Sequence, residues 1–247
     1  MAHFIPLSVP NLGGNEEKYV MEAVRSQWVS TAGGSIVDFE RNFARYVGTQ
    51  DACACQSGSA GLHLCLRHFG ISQNDIVLVP TLTFIATINA VMYQAASPVF
   101  FDCDDHLCID TSQIQEYIDT YCTFSNGVLR ENVSGKRVKA IIPVHVFGDL
   151  CDMDAIMDLA EKYGLFVIED ATEALGSTVG CGRYSGKMAG TIGHAGVFSF
   201  NGNKIITTGG GGMVVSNDTR ALQHIRYLSQ QAKDDALYFV HEEYGYN

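Results

Sequence analysis

This chain has no basic block anywhere along it. Its 16 lysines and arginines stand against 27 acids, a net charge of −11. That balance excludes a protein that grips a phosphate backbone, and no nucleic-acid partner is expected. A few local donors would still suffice for a nucleotide-linked small molecule. The eight cysteines include no CxxC pair, and their spread fits a reducing cytosol better than a disulfide scaffold. The start, MAHFIPLSVP, lacks the charged segment and apolar core of a secretory signal. No apolar run approaches the ~20 residues of a membrane span. The expectation is therefore a soluble cytoplasmic protein without a membrane partner. Internal repeats and low-complexity linkers are absent too, as are a GxSxG elbow and a Ser-His-Asp arrangement. The acids of DCDDHLCID (102–110) suggest a metal, but their pattern gives no ligand set of defined geometry, and none is expected.

What the chain does have is a well-buried composition, 47% hydrophobic and 17% charged, and an alternation of elements. Helices are expected over EEKYVMEAVRSQ, with Asn15 as N-cap, and over IVDFERNFARYVG, with Gly48 as its stop. A short strand DACACQ, the turn SGS (57–59) and a helix AGLHLCLRHF follow. IVLVP (76–80) and PVFFD (98–102) read as strands around the helix FIATINAVMYQA. After a helix near 111–121 and a polar loop from Ser125 to Lys136, VKAIIPVHV reads as a strand, MDAIMDLAEKYG as an amphipathic helix and LFVIED as a strand. Continuous apolar strands separated by helices point to an α/β fold with a mostly parallel sheet sandwiched by helices.

Two segments carry chemistry. FSFNGNKIITTGGGGM (198–213) sets Lys204 beside a glycine-rich turn in a lysine-poor stretch, and VIEDATEALGS (167–177) ends an apolar strand on Asp170. A lysine able to form a Schiff base and an aspartate able to hold a pyridinium nitrogen are the two protein groups that pyridoxal phosphate chemistry needs most. A solvated loop lysine is the other reading of Lys204, and an N-cap for ATEALG the other reading of Asp170. Asp170 nonetheless falls at the carboxyl end of a strand, where open α/β sheets bind ligands. Gly209 to Gly212 would let the backbone pass close to a bound group. Ser199 could offer a hydroxyl to a phosphate, and the helix that follows SGS could offer free N–H groups. Phe84 could stack on a flat ring or serve as a core aromatic.

The series SGSAGLHLCL, VLVPTLTFIATINAV, PVFFDCDD, KAIIPVHVFGDLCDMDAI, VIEDATEALGS and FSFNGNKIITTGGGGMVVSN closely resembles the DegT/DnrJ/EryC1/StrS sugar aminotransferases along essentially the whole chain. The resemblance implies the large domain of a fold-type I pyridoxal phosphate-dependent transferase over residues 1–247, with an N-terminal helical segment. The chain stops at YGYN like a sequence cut off mid-protein, so the family's small C-terminal domain is expected to be absent from it. The implied roles are Lys204 as the catalytic lysine, Asp170 on the pyridine nitrogen, and Gly58, Ser59 and Ser199 on the phosphate. Phe84 would stack on the ring, and Glu173 would lie near its hydroxyl. Asn247 would reach the phosphate in a neighbouring subunit of a homodimer. Trp28, Val29, Ser30 and Thr31 match a segment that lines the sugar-nucleotide pocket.

The subgroup it looks most similar to acts in legionaminic acid and bacillosamine synthesis. That implies transfer of an amino group from L-glutamate to C4 of a UDP-linked 4-keto-6-deoxy-N-acetylhexosamine for bacterial surface glycans. A GDP-keto sugar, as in perosamine synthases, is the nearest rival. A ligand-binding regulator without turnover, and a dehydrase or lyase using the same cofactor, are the readings from other classes. Three positions depart from the family pattern: Ser57 where asparagine is common, Gly61 where alanine is usual, and His194 where relatives carry an aspartate.

Overall fold

The computed structural model describes residues 4–6, 8–30, 33–235 and 237–247. The chain opens with two helices, α1 (Glu16–Ser26) and α2 (Gly34–Val47). Asn15 holds the N-cap position of α1, but its side chain makes no capping bond, and no residue of that helix is buried. Then come β1 (Asp51–Cys55), α3 (Gly58–His68), β2 (Asp75–Pro80), α4 (Ile85–Tyr93), β3 (Ser97–Phe101) and α5 (Thr111–Tyr121). The second half contains β4 (Cys122–Ser125), β5 (Val128–Glu131), β6 (Arg137–Ile141), α6 (Met153–Tyr163), β7 (Phe166–Asp170), β8 (Ala195–Ser199), β9 (Gly212–Ser216) and α7 (Thr219–Ser229).

The strands lie in the order β1-β9-β8-β7-β6-β2-β3. β3, β2, β6, β7 and β8 run parallel, and β9 is antiparallel to both β8 and β1. This is the expected mostly parallel α/β sheet. Its parallel strands are buried on both faces because side chains alternate: Val77 and Val79 pack with α3 and α4 on one side, Ile76 and Leu78 with α5 and α6 on the other. A third cluster seats Phe43 and Val47 of α2 over Phe198, Phe200 and Met213.

Two segments differ from expectation. The polar stretch from Ser125 is the turn of a hairpin, in which β4 and β5 pair across Asn126 and Gly127. Both turn residues have positive φ, 51° and 73°, the geometry that a two-residue connection between twisted strands requires. The expected strand through Val146 stops at Ile141, because Pro143 has no N–H for the ladder; Val144 keeps one bridge to Asp170. β9 and α7 are not among the elements expected from the sequence. No helix among the described residues is long and apolar enough to cross a membrane.

Candidate active site

The site forms where β7 and β8 end and α3 and α4 begin, and the segment 170–173 is its hub. Asp170, the last residue of β7, is 4% exposed. Its Oδ2 accepts the hydroxyl of Thr87 at 2.7 Å, and its Oδ1 accepts the N–H of Thr172 at 3.2 Å. The carboxylate is thus held at both oxygens by groups that leave further lone pairs open. It is not a helix cap, since 171–177 forms turns rather than a helix.

Three residues on from Asp170, Glu173 Oε1 accepts the Lys204 ammonium at 3.0 Å, with both side chains mostly buried. Its other oxygen accepts the N–H of Phe147 at 3.4 Å. The Lys204 Nζ also lies 4.9 Å from the centroid of the Phe84 ring. Lys204 is therefore a sequestered lysine, not a solvated one, and Phe84 is an exposed aromatic at the start of α4, not part of the core.

The phosphate end is built by close approach. A Cβ on Gly58 would lie 2.8 Å from Thr172 Cγ2 and 3.1 Å from Ser199 Cβ, so the first turn of α3 fits against those two residues only as glycine. Ser57 caps α3 by accepting the N–H of Ala60 at 3.1 Å, and its carbonyl takes Gly61 N–H at 3.0 Å. That leaves the Gly58 and Ser59 N–H groups without an acceptor among the described residues, at the positive end of the helix dipole. The glycine run serves the same turn: a Cβ on Gly212 would lie 2.5 Å from the Ser57 carbonyl. Cys55 flanks the turn, but burial pushes its thiol up to about 12, and that of Cys53 to about 11, so neither competes as a nucleophile at neutral pH.

Asn247 takes a bond from Gln231 at 3.4 Å and borders a cavity of about 500 Å³ with Tyr246 and His63, which Ala60 and Gly212 of the phosphate turn also line. Trp28 and Val29 are 61% and 77% exposed. The Ser30 carbonyl accepts Gly33 N–H, and Thr31 lies outside the described residues. No group of three or more His, Cys, Asp or Glu that could hold a metal occurs among the described residues.

Sequence reasoning misses Thr87, Thr172 and Phe147, each found only through its contact with 170–173. Of the three departures, Ser57 and Gly61 read from the sequence as small residues tolerable in a phosphate turn and His194 has no reading there; the structure gives each a contact. Ser57 is the α3 cap. Gly61 faces β8 and β9 so closely that a Cβ would lie 2.7 Å from Val197 Cγ1 and 3.2 Å from Val214 Cγ2. His194 Nδ1 accepts the N–H of Val167 at 3.0 Å beside the rings of Phe69 and Phe166, holding the entry to β8 against β7; burial pulls its pKa down.

A lysine over an aromatic ring, a buried acid at a strand end and a glycine cradle under free N–H groups suit a planar, phosphate-bearing aldehyde with a basic ring nitrogen. These groups fit pyridoxal phosphate. The chain belongs to the DegT/DnrJ/EryC1/StrS aminotransferase family, whose sequence profile matches residues 10–247. It is 40% identical over 98% of its length to EpsN of Bacillus subtilis, whose name proposes a pyridoxal phosphate-dependent aminotransferase, and covers 59% of that protein. It is 41% identical over 98% of its length to the GDP-perosamine synthase of Caulobacter vibrioides, covering 60% of it. The aminotransferase of Psychrobacter cryohalolentis superposes with a TM-score of 0.83 at 32% identity, over 97% of this chain and 59% of that one. The chain thus spans about three-fifths of the length of these relatives.

Proposed function

We propose that this chain is the cofactor-binding large domain of a homodimeric cytoplasmic aminotransferase that makes amino sugars on a nucleotide carrier. L-Glutamate is the amino donor in this reading. The observation that carries it is the contact of Lys204 with Glu173 and Phe84 one turn of chain from the buried Asp170. Pyridoxal phosphate, when bound, supplies the electron sink that lets an amino group move between carbon skeletons. Everything else falls to the chain. Gly58 and Ser59 donate N–H groups to the phosphate, and Ser199 offers its hydroxyl. Phe84 covers one face of the site. Asp170 accepts the proton-bearing ring nitrogen. Lys204 would hold the cofactor through its aldehyde group and would carry a proton at Nζ between the substrate carbon and the cofactor. Glu173 keeps that Nζ positioned.

The specific acceptor proposed is C4 of a UDP-linked 4-keto-6-deoxy-N-acetylhexosamine, in line with the motif resemblance to legionaminic acid and bacillosamine enzymes. The relatives named GDP-perosamine synthase favour a GDP-linked 4-keto sugar as the second reading. Reduction of the pyridoxal phosphate-treated protein with borohydride, followed by peptide mapping, is the test of the site. A pyridoxyl group on Lys204 and on no other lysine is expected, and in a separate, unreduced sample L-glutamate is expected to convert the bound cofactor to pyridoxamine phosphate. Diffuse labelling would refute the site. Selective labelling without conversion by glutamate would favour the regulator reading, and parallel assays with UDP- and GDP-linked 4-keto sugars separate the two acceptors.

A further inference from the structure

Asp170 is held by a relay that begins outside the strand carrying it. Thr87, in the first turn of α4, is fully buried, and its hydroxyl donates to Asp170 Oδ2 at 2.7 Å. A carboxylate only accepts, so the single Thr87 proton is committed to it. The Thr87 oxygen is then free to accept, and Thr83 Oγ lies 2.8 Å away. The Phe84 carbonyl, 3.2 Å from Thr83 Oγ1, competes for the single Thr83 proton, and with the Thr87 proton committed to Asp170 the shorter contact gives it to Thr87. The chain of hydroxyls has one direction, Thr83 to Thr87 to Asp170.

We propose that Thr87, backed by Thr83, is a positioning residue that sets the Asp170 carboxylate for the pyridinium N–H of the cofactor. The inference rests on the pyridoxal phosphate reading of the site. Two features make positioning, rather than bulk packing, the role. The bond spans 83 residues of sequence and joins the first turn of α4 to the end of β7, the two elements that carry Phe84 and Asp170. It also fixes one carboxylate oxygen while Thr172 fixes the other, which removes rotation about the carboxylate axis. A bond to a charged group that must hold one orientation gains from such preorganisation.

The test compares two probes that differ at one ring atom: pyridoxal 5'-phosphate, and its 1-deaza analogue with C–H in place of the ring nitrogen. Affinity for each is measured on the wild-type protein and on Thr87→Val, Thr87→Ser and Thr83→Val. The wild type is expected to prefer pyridoxal phosphate by about tenfold or more, the scale of one charge-assisted bond. Thr87→Val should lower that preference to below about threefold by weakening pyridoxal phosphate alone, and Thr87→Ser should restore it. Thr83→Val, which leaves the carboxylate its donor, should lower it by a smaller factor and keeps the test open if Thr87→Val fails to fold. A purely structural Thr87 would weaken both probes equally, and an unchanged ratio in the Thr87→Val and Thr83→Val proteins overturns the proposal. A wild type that binds pyridoxal phosphate but shows no preference removes the Asp170 assignment along with it. A wild type that binds neither probe overturns the cofactor reading itself.

Discussion

The sequence Glu169-Asp170 places two acids side by side, and the alternation of a strand sends them to opposite faces with opposite duties. Asp170 faces α4. Glu169 is fully buried on the other face, where its Oε1 accepts the N–H groups of Ile192 at 2.7 Å and Gly193 at 2.6 Å. Its Oε2 accepts Gly190 N–H at 2.8 Å and lies 2.9 Å from His145 Nε2. His145 Nδ1 accepts Cys151 N–H at 3.3 Å, so Nε2 is the imidazole's donor and Glu169 receives four N–H groups in all. Glu169→Gln keeps the shape and removes the charge. Whichever way the amide turns, its NH2 faces two of those four donors. Each buried donor left without a partner costs about 1–3 kcal/mol, so the variant should lose about 2–6 kcal/mol.

That is a large part of the roughly 5–15 kcal/mol by which a native domain is stable. For a chain of this size the fall in Tm should be about 2–4 °C per kcal/mol, hence at least about 4 °C, readable by calorimetry or urea titration followed by circular dichroism. Asp170→Asn is the matched control. There the amide oxygen can keep Thr172 N–H and the NH2 can give its proton to Thr87, so stability should change by less than about 1 kcal/mol while cofactor retention collapses. A Glu169→Gln loss below about 1 kcal/mol would refute the four-donor account, and a Glu169→Gln protein of normal stability that loses cofactor would reverse the two assignments.

Why the site was legible and parts of the fold were not follows from where the signals lie. Lys204, Asp170, Gly58 and Ser199 are each marked by residue type near an element's end, whereas Glu173 is pointed to only by the family resemblance; 170–173 gathers them because β7 and β8 are adjacent and parallel. Thr87 carries no such mark. A threonine in an apolar helix reads as filler until the partner 83 residues away is known. Asn126-Gly127 did mark a two-residue hairpin, but the polar residues around it favour a loop when the flanking strands have only four residues each. Helix α7 has its cap in Asp218 and its apolar stripe in Ala221, Leu222, Ile225 and Leu228, so it was readable from local pattern. Glu169 shows the opposite limit: nothing in its neighbours says that 190–193 will turn three N–H groups toward it.

Lys204→Ala should abolish the borohydride-fixed adduct and also lower stability, because it leaves the mostly buried Glu173 carboxylate without its ammonium partner; a persistent adduct elsewhere refutes the assignment. Gly61→Ala should destabilise by up to about 2 kcal/mol, the overpacking cost of about 1–3 less the helix-propensity gain of about 1. Val197→Ala in that background should restore part of the loss, because the inserted methyl meets Val197 Cγ1 first. Stability should also fall in acid for reasons of histidine. His194, His68 and His63 all have folded pKa values pulled below the ordinary histidine range, each chiefly by burial. The unfolded chain therefore binds protons first, and stability that is full above about pH 6.5 declines as pH drops through the window between the unfolded and folded values. At His194 the conflict is atomic, since a protonated Nδ1 would point its hydrogen at the Val167 N–H it now accepts. His194→Asn keeps an acceptor at that place and cannot titrate. Unfolding free energies at pH 7.5 and 5.0 should differ less for His194→Asn than for the wild type by up to one proton's worth, about 1.4 kcal/mol per pH unit crossed, and equal pH dependence in the two proteins would remove His194 from the account.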